Sequence, residues 1–365
     1  MTDKKRALLA AGGTGGHLFP ALALAEELIK QGWEVMIATD ERGARYDKSE
    51  LDYETVVISS ATTKPGLWGK FQTAAALGKG ITQSFKIMRN YKPDVIVGFG
   101  GYPCFPPLFA AQLLKKPTII HEANAVLGKA NKMLAARASH IAMSTPATKG
   151  VSEHKTFAPK SVVTGNPVRA KVVAKQSAPY MAPTANGPFN IFVMGGSQGA
   201  HVFSKVIPEA IKHLSDADQK RIRIVQQCRE EDMPAARKAF EEMGVDYELK
   251  AFFDNAPEEL EKCHLFIGRS GASTVSDVAV VGRPAIFAPL KHADNQQLLN
   301  AKALADAGGA WVIPSDQFDA KTLAKSLATL MADPNTLKAA ADKSAQAGEP
   351  FAASKLKDLV IKAAR

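Results

Sequence analysis

Two glycine-rich loops stand about half a chain apart, Gly12-Gly13-Thr14-Gly15-Gly16-His17 and Gly195-Gly196-Ser197-Gln198-Gly199. Each follows a short apolar run, Ala7 to Ala11 and Ile191 to Met194, and opens a helical pattern. Glycine lets backbone N–H groups approach a phosphate closely, and a helix N-terminus favours negative charge, so each loop is an expected anion site. A third such turn, Arg269-Ser270-Gly271-Ala272-Ser273-Thr274-Val275-Ser276-Asp277, follows the apolar Leu265-Phe266-Ile267. There Ser270 or Ser273 is placed to cap a helix whose first N–H groups would meet a phosphate. Asp277, one turn beyond Ser273, and Asp294-Asn295-Gln296-Gln297, after the next strand, offer the carboxylates and amides that a sugar or ribose ring requires. His17 closes the first loop with an imidazole, which titrates near neutrality and suits proton transfer.

Rival chemistries fail on spacing. Read from Gly13, the dinucleotide fingerprint G-x-G-x-x-G/A demands Gly or Ala where Leu18 stands, although Asp40 lies near the position of a ribose-binding acid. Neither loop ends in the Lys-Ser/Thr of a nucleoside-triphosphate loop. Asp216-Ala217-Asp218 has a D-x-D pattern used by some sugar transferases to hold a divalent ion, but its polar surroundings favour a solvated turn. No metal or other cofactor is therefore assigned.

These loops need strands to carry them. Ala7 to Ala11, Glu34 to Thr39, Asp94 to Gly98, Pro117 to Ile120 and Ser139 to Met143 read as buried strands with helical material between, the pattern of a parallel sheet. Ligand groups then gather at strand carboxyl ends, which is where His121, Glu122 and Asn124 fall. Periodicity vanishes and proline accumulates around Pro159 to Pro188. A second set of strands follows, at Asn190 to Met194, Ile222 to Gln226, Leu265 to Ile267, Ala285 to Pro289 and Ala310 to Ile313. The expected class is α/β, with two doubly wound domains facing each other across a cleft. The boundaries are 1–164 for the first domain, 165–188 for a linker, 189–347 for the second domain, and 348–365 for a terminal helix that packs back on the first. A length of 365 residues suits two domains.

Three cysteines, Cys104, Cys228 and Cys263, have no C-x-x-C spacing and form no disulfide framework or zinc motif, as suits a reducing cytosol. Met1 to Arg6 is charged, and the apolar stretch behind it is too short for a secretory signal. Val95 to Leu114 carries no charge and is long enough to cross a bilayer, but its glycines and prolines point to a strand, a loop and a helix entered through proline. Of the net charge of +10, +9 lies between Ser60 and Arg137, where eleven basic residues meet two acids. Interleaved with Trp68, Phe71, Leu77, Ile81 and Phe85, this region fits either an anionic surface or a solvated helix face.

Taken together, the segments closely resemble the MurG family of bacterial cell-wall glycosyltransferases. The resemblance rests on Gly12 to His17, Gly100-Gly101-Tyr102, His121-Glu122 with Asn124, Gly165-Asn166-Pro167-Val168-Arg169, Gly195 to Ala200, Arg269-Ser270-Gly271-Ala272 and Gln296-Gln297, in family order over almost the whole chain. Departures include Asp277 for a usual Glu, Ser273 for a usual Leu, Ala123 for a common Gln, and Gln226-Gln227-Cys228-Arg229-Glu230, which lacks a glycine-lysine turn. The resemblance implies a GT-B fold of two Rossmann-like domains. It also implies transfer of N-acetylglucosamine from UDP-N-acetylglucosamine to an undecaprenyl-diphosphate-linked muramyl-pentapeptide at the cytoplasmic membrane face, without nucleic acid as partner. By the same resemblance Ser197, Gln198 and Ser270 to Thr274 hold the donor diphosphate. Asn124, Arg169, Gln296 and Gln297 contact other donor groups, Asp277 the ribose, and Phe253 lies near uracil. Thr14, Gly15, Gly16 and His17 face the acceptor diphosphate. His17 is the first candidate for general base and Glu122 the second; a purely positioning His17 stays open. So do a UDP-sugar epimerase, a transferase to another acceptor, and a non-catalytic nucleotide-sugar-binding module on the same fold.

Overall fold

Apolar runs of four to six residues recur along the chain between amphipathic helices, and buried parallel sheets follow from that pattern. The computed structural model describes residues 4–44, 52–60, 66–176, 178–196 and 199–365. Two compact units emerge, Met1–Arg169 with Pro350–Arg365, and Ala170–Glu349.

The first unit holds β1 (Arg6–Ala10), β2 (Glu34–Thr39), β3 (Glu54–Val57), β4 (Val95–Gly98), β5 (Thr118–Glu122), β6 (His140–Met143) and β7 (Ser161–Val163). They pair in the order β3-β2-β1-β4-β5-β6-β7, every pair parallel. The apolar residues of β1 and β4 are fully buried, with Leu18, Leu24 and Leu28 of helix Gly15–Lys30 covering one face. The last helix, Ala352–Ala363, belongs to this unit and buries Leu356 and Val360 in the same cluster. Val95 to Leu114 forms β4, a tight turn and helix Phe105–Leu113, entered through Pro106 and Pro107. Among the described residues no helix is long and apolar enough to cross a membrane.

The second unit holds β8 (Phe189–Met194), β9 (Ile222–Gln227), β10 (Asp246–Lys250), β11 (Leu265–Gly268), β12 (Ala285–Phe287) and β13 (Ala310–Val312), in the order β10-β9-β8-β11-β12-β13, again all parallel. Of residues 165–188, those up to Arg169 belong to the first unit, and the remainder to the second. There Tyr180 is buried, and its hydroxyl donates to the His264 carbonyl at 2.9 Å. All three cysteines are buried and free. Both doubly wound sheets expected from the sequence are present. The three strands without a sequence signal, β3, β7 and β10, are all sheet edges with exposed or half-buried residues. These three pack poorly on at least one side, so no continuous apolar run marks them, whereas the remaining edge, β13, keeps Ala310 buried and is legible in the sequence.

Candidate functional site

In each sheet the chain reverses winding direction between two neighbouring strands, at β1/β4 and at β8/β11. The loops leaving the carboxyl ends of such a strand pair diverge and open a crevice. In the first unit those loops are Gly12–His17 and Gly100–Gly101; in the second they are the Gly195–Ala200 turn and Arg269–Gly271.

In the first unit the backbones of Gly12 and Gly101 meet: a Cβ on Gly101 would stand 2.9 Å from Gly12 Cα, and Gly101 has φ +79°. The Gly12 N–H donates to the Gly100 carbonyl at 3.1 Å. His17 lies over this junction, since a Cβ on Gly100 would come within 3.1 Å of its ring. Thr14 is the N-cap of helix Gly15–Lys30 but makes no side-chain cap bond; its hydroxyl lies 3.0 Å from His17 Nδ1 instead. His17 is half-buried, and desolvation lowers its pKa to about 4, which keeps the ring neutral at pH 7. The Asp40 carboxylate packs against Gly13 and is engaged by Arg42 at 2.8 Å and the Gly43 N–H at 3.0 Å.

Glu122 ends β5 and is buried. Its oxygens accept from Asn124 N at 3.0 Å, Asn124 Nδ2 at 3.2 Å, Gly128 N at 2.9 Å and Asn131 Nδ2 at 2.9 Å. Burial raises its pKa and these donors oppose the rise. Four N–H donors on one carboxylate make Glu122 the post around which residues 123–131 are wound. Asn131, seven residues beyond Asn124 and without a local motif, joins Glu122 to the Gly100–Gly101 turn: its Nδ2 would lie 3.7 Å from a Cβ on Gly100. His121 is fully buried, its Nε2 3.2 Å from the Gly165 carbonyl, and burial lowers it to about 4. Four residues on, the Arg169 guanidinium stacks over Phe19 at 4.1 Å. Thr14, Gly15, Gly16, His17, Glu122, Asn124 and Arg169 all lie in the first unit, with His17 beside the Gly12–Gly101 junction and Glu122 bonded to Asn124.

Ser197 and Gln198 lie outside the described residues. On either side of them, a Cβ on Gly195 would fall 2.3 Å from the Ala200 nitrogen, and the Gly199 N–H donates to Gly196 O at 3.0 Å. Helix His201–Lys212 then starts at Ala200 with no side-chain cap. Ser270 and Ser273 do not cap helix Ala272–Val281, contrary to expectation. Its N-cap is Gly271, and the buried Ser270 hydroxyl donates to the Gln297 carbonyl at 2.8 Å. Gln297 Oε1 accepts from Leu290 N at 2.8 Å, and Asn300 Nδ2 donates to Ser270 O at 3.3 Å, so the helix starts at Gly271 and Gln296 are tied together. Gly271 has no side chain to cap this helix, whose first turn is Ala272-Ser273-Thr274. Asp277 stands half-buried on that helix. Phe253 is 4% exposed and packs edge-on against Phe192 at 5.6 Å, whereas its neighbour Phe252 is 47% exposed and escaped the sequence reading. Asp216-Ala217-Asp218 forms one helical turn capped by Ser215, with Asp218 3.5 Å from Arg221.

In helix Gly66–Asn90, Trp68 and Phe71 are stacked at 5.7 Å and are 71% and 64% exposed, with Lys70, Lys79, Lys86 and Arg89 exposed on the same helix. Lys64 lies outside the described residues.

Residues 7–143 match the glycosyltransferase family 28 N-terminal domain, and residues 190–358 match the glycosyltransferase family 28 C-terminal domain. The chain belongs to glycosyltransferase family 28. A Rhodospirillum centenum relative named UDP-N-acetylglucosamine--N-acetylmuramyl-(pentapeptide) pyrophosphoryl-undecaprenol N-acetylglucosamine transferase is 47% identical, covering 98% of this chain and 94% of its own. A relative of the same name from Paramagnetospirillum magneticum is 44% identical over 99% of this chain and 97% of its own. The crystal structure of Acinetobacter baumannii MurG matches with a TM-score of 0.78 at 29% identity, over 98% of this chain and 99% of that one. This family 28 member is a glycosyltransferase with the two-sheet architecture of the GT-B fold. The two family 28 domains span both switch-point loops, Gly12–His17 in one and Gly195–Ala200 with Arg269–Gly271 in the other.

Proposed function

We propose that this chain transfers N-acetylglucosamine from UDP-N-acetylglucosamine to undecaprenyl-diphosphate-linked N-acetylmuramoyl-pentapeptide at the cytoplasmic face of the membrane. The observation that carries the reading is full-length similarity to relatives named for that transfer, joined to uncapped helix starts at both switch points.

The leaving group is UDP, so negative charge grows on a diphosphate. The helix starts at Ala272 and His201 supply N–H groups to meet that charge, and Ser197 and Gln198 join them as contacts to the donor diphosphate. Asp277 takes the ribose hydroxyls, Gln296 and Gln297 the sugar side of the donor, and the turn at Phe252-Phe253 the base. Thr14 to His17 takes the acceptor diphosphate, and Asn124 and Arg169 complete the donor contacts. The attacking hydroxyl loses its proton to His17, whose neutral ring is in the accepting form. An acceptor diphosphate beside it favours the imidazolium as it forms. Glu122, with both oxygens committed to N–H donors, positions the loop that carries Asn124. Trp68, Phe71 and their basic neighbours dock the first domain on anionic lipid.

UDP release assayed with and without the lipid-linked acceptor tests the reading. Release should require both substrates. Acceptor-independent conversion of the donor would support an epimerase, and donor binding without turnover a binding module.

A further inference from the structure

The turn after β9, which departs from the resemblance at Gln226 to Glu230, contacts the glycine turn after β8 at Gly195 and at Gly199. Gln227 is 3% exposed, and its Oε1 accepts from the Gly195 N–H at 3.0 Å. Its Nε2 donates to the Ala251 carbonyl at 3.1 Å. Arg229 packs against Gly199, with a guanidinium N–H 3.4 Å from the Gly199 carbonyl. His201 Nδ1 lies 2.6 Å from the buried Asp232 carboxylate, and Ser204 Oγ lies 3.3 Å from Cys228 Sγ.

Of these contacts, only the Gln227 amide reaches two ligand-facing segments at once. One end holds the first glycine of the diphosphate turn. The other holds the residue immediately before Phe252-Phe253. We propose that Gln227 is a positioning residue that sets the distance between the diphosphate turn and the base-binding turn, and so makes one ligand site of two loops. The inference rests on the donor reading given above. A buried primary amide suits this task because it donates and accepts simultaneously across one rigid plane, and pairing with Lys250 of β10 fixes the Gln227 backbone at the end of β9. Leucine at 227 would fill the volume and leave the Gly195 N–H and the Ala251 carbonyl without their partner.

The consequence is specific to a ligand that spans both loops. Uridine reaches the base turn and, through its ribose, Asp277, but not the diphosphate turn, whereas UDP reaches both turns. In Gln227→Leu, calorimetry should show UDP affinity falling about tenfold, with uridine affinity within twofold of the parent. The Michaelis constant for UDP-N-acetylglucosamine should rise with it, and turnover at saturation should change much less. Hydrogen exchange of the peptide spanning Gly195 should quicken, while β8 and β11 stay protected. Unchanged UDP affinity, or unchanged exchange at Gly195, would overturn the inference. An equal loss of uridine and UDP binding would also overturn it, since that would mark general damage to the domain. A parent protein that binds neither UDP nor UDP-N-acetylglucosamine would overturn the donor reading itself.

Discussion

Thr14 Oγ1 lies 3.0 Å from His17 Nδ1, so the hydroxyl at the start of the first helix orients an imidazole instead of capping that helix. Loss of a general base costs about a hundredfold to ten-thousandfold. His17→Ala should therefore cut turnover by that range while UDP binding measured by calorimetry barely changes. Thr14→Val keeps the branched shape and removes only the orienting hydroxyl, for a loss of about tenfold. A fall in donor affinity with turnover preserved in His17→Ala would assign His17 a positioning role.

Asp277 stands on the helix after Arg269-Ser270-Gly271-Ala272, one turn beyond Ser273. Hydrogen bonds from hydroxyls to a carboxylate are worth about 1.5–3 kcal/mol, so Asp277→Ala should raise the Michaelis constant for the donor about tenfold to a hundredfold. Steady-state kinetics at saturating acceptor checks this. An unchanged constant would remove Asp277 from the ribose contacts.

Burial of His121 sets a pH dependence of stability. Its folded-state pKa is lowered to about 4 from an ordinary 6.5, so the unfolded chain takes up the proton first. The stability gained by keeping the ring neutral is whole above about pH 6.5 and falls as the pH drops toward 4, by on the order of 3 kcal/mol. Half-buried His17, lowered in the same direction, adds to the loss. Urea unfolding at pH 7 and pH 4.5 should show a smaller pH difference for His121→Gln than for the parent. Equal differences would mean that His121 is not the group responsible.

The sequence showed the strands and their turns better than how side chains are used. Apolar runs revealed β1, β4, β8 and β11, and glycines at their ends revealed the turns, because both signals are local. Edge strands β3, β7 and β10 gave no such signal. Ser270 read as a cap because capping is judged from a few neighbouring residues, yet its hydroxyl is taken by Gln297 O, twenty-seven residues away. Phe253 and Phe252 are adjacent and chemically identical, and only packing against Phe192 decides which ring is buried. Asn131 and Gln227 act through contacts whose partners lie on other elements, so spacing alone left Asn131 unmarked and gave Gln227 no role.

Trp68 and Phe71 stack on an exposed helix among Lys70, Lys79 and Lys86. Each basic residue near an anionic leaflet contributes about 1 kcal/mol, screened by salt. Trp68→Ser combined with Lys70→Gln and Lys79→Gln should lose co-sedimentation with anionic vesicles at moderate salt and still turn over a short-chain soluble acceptor. Vesicle binding that is unaltered in the variant, or insensitive to salt in the parent, would return this helix to an ordinary solvated face.

Sugar transfer to a lipid-linked alcohol is decided by where the sugar goes. With UDP-N-acetylglucosamine labelled in the sugar, and undecaprenyl-diphosphate-linked muramoyl-pentapeptide as acceptor, label should pass into the organic-extractable lipid in a one-to-one ratio with UDP released. Omission of acceptor should abolish both. Label that stays in water as free sugar or as an isomerised nucleotide sugar, with the lipid unlabelled, would contradict the account.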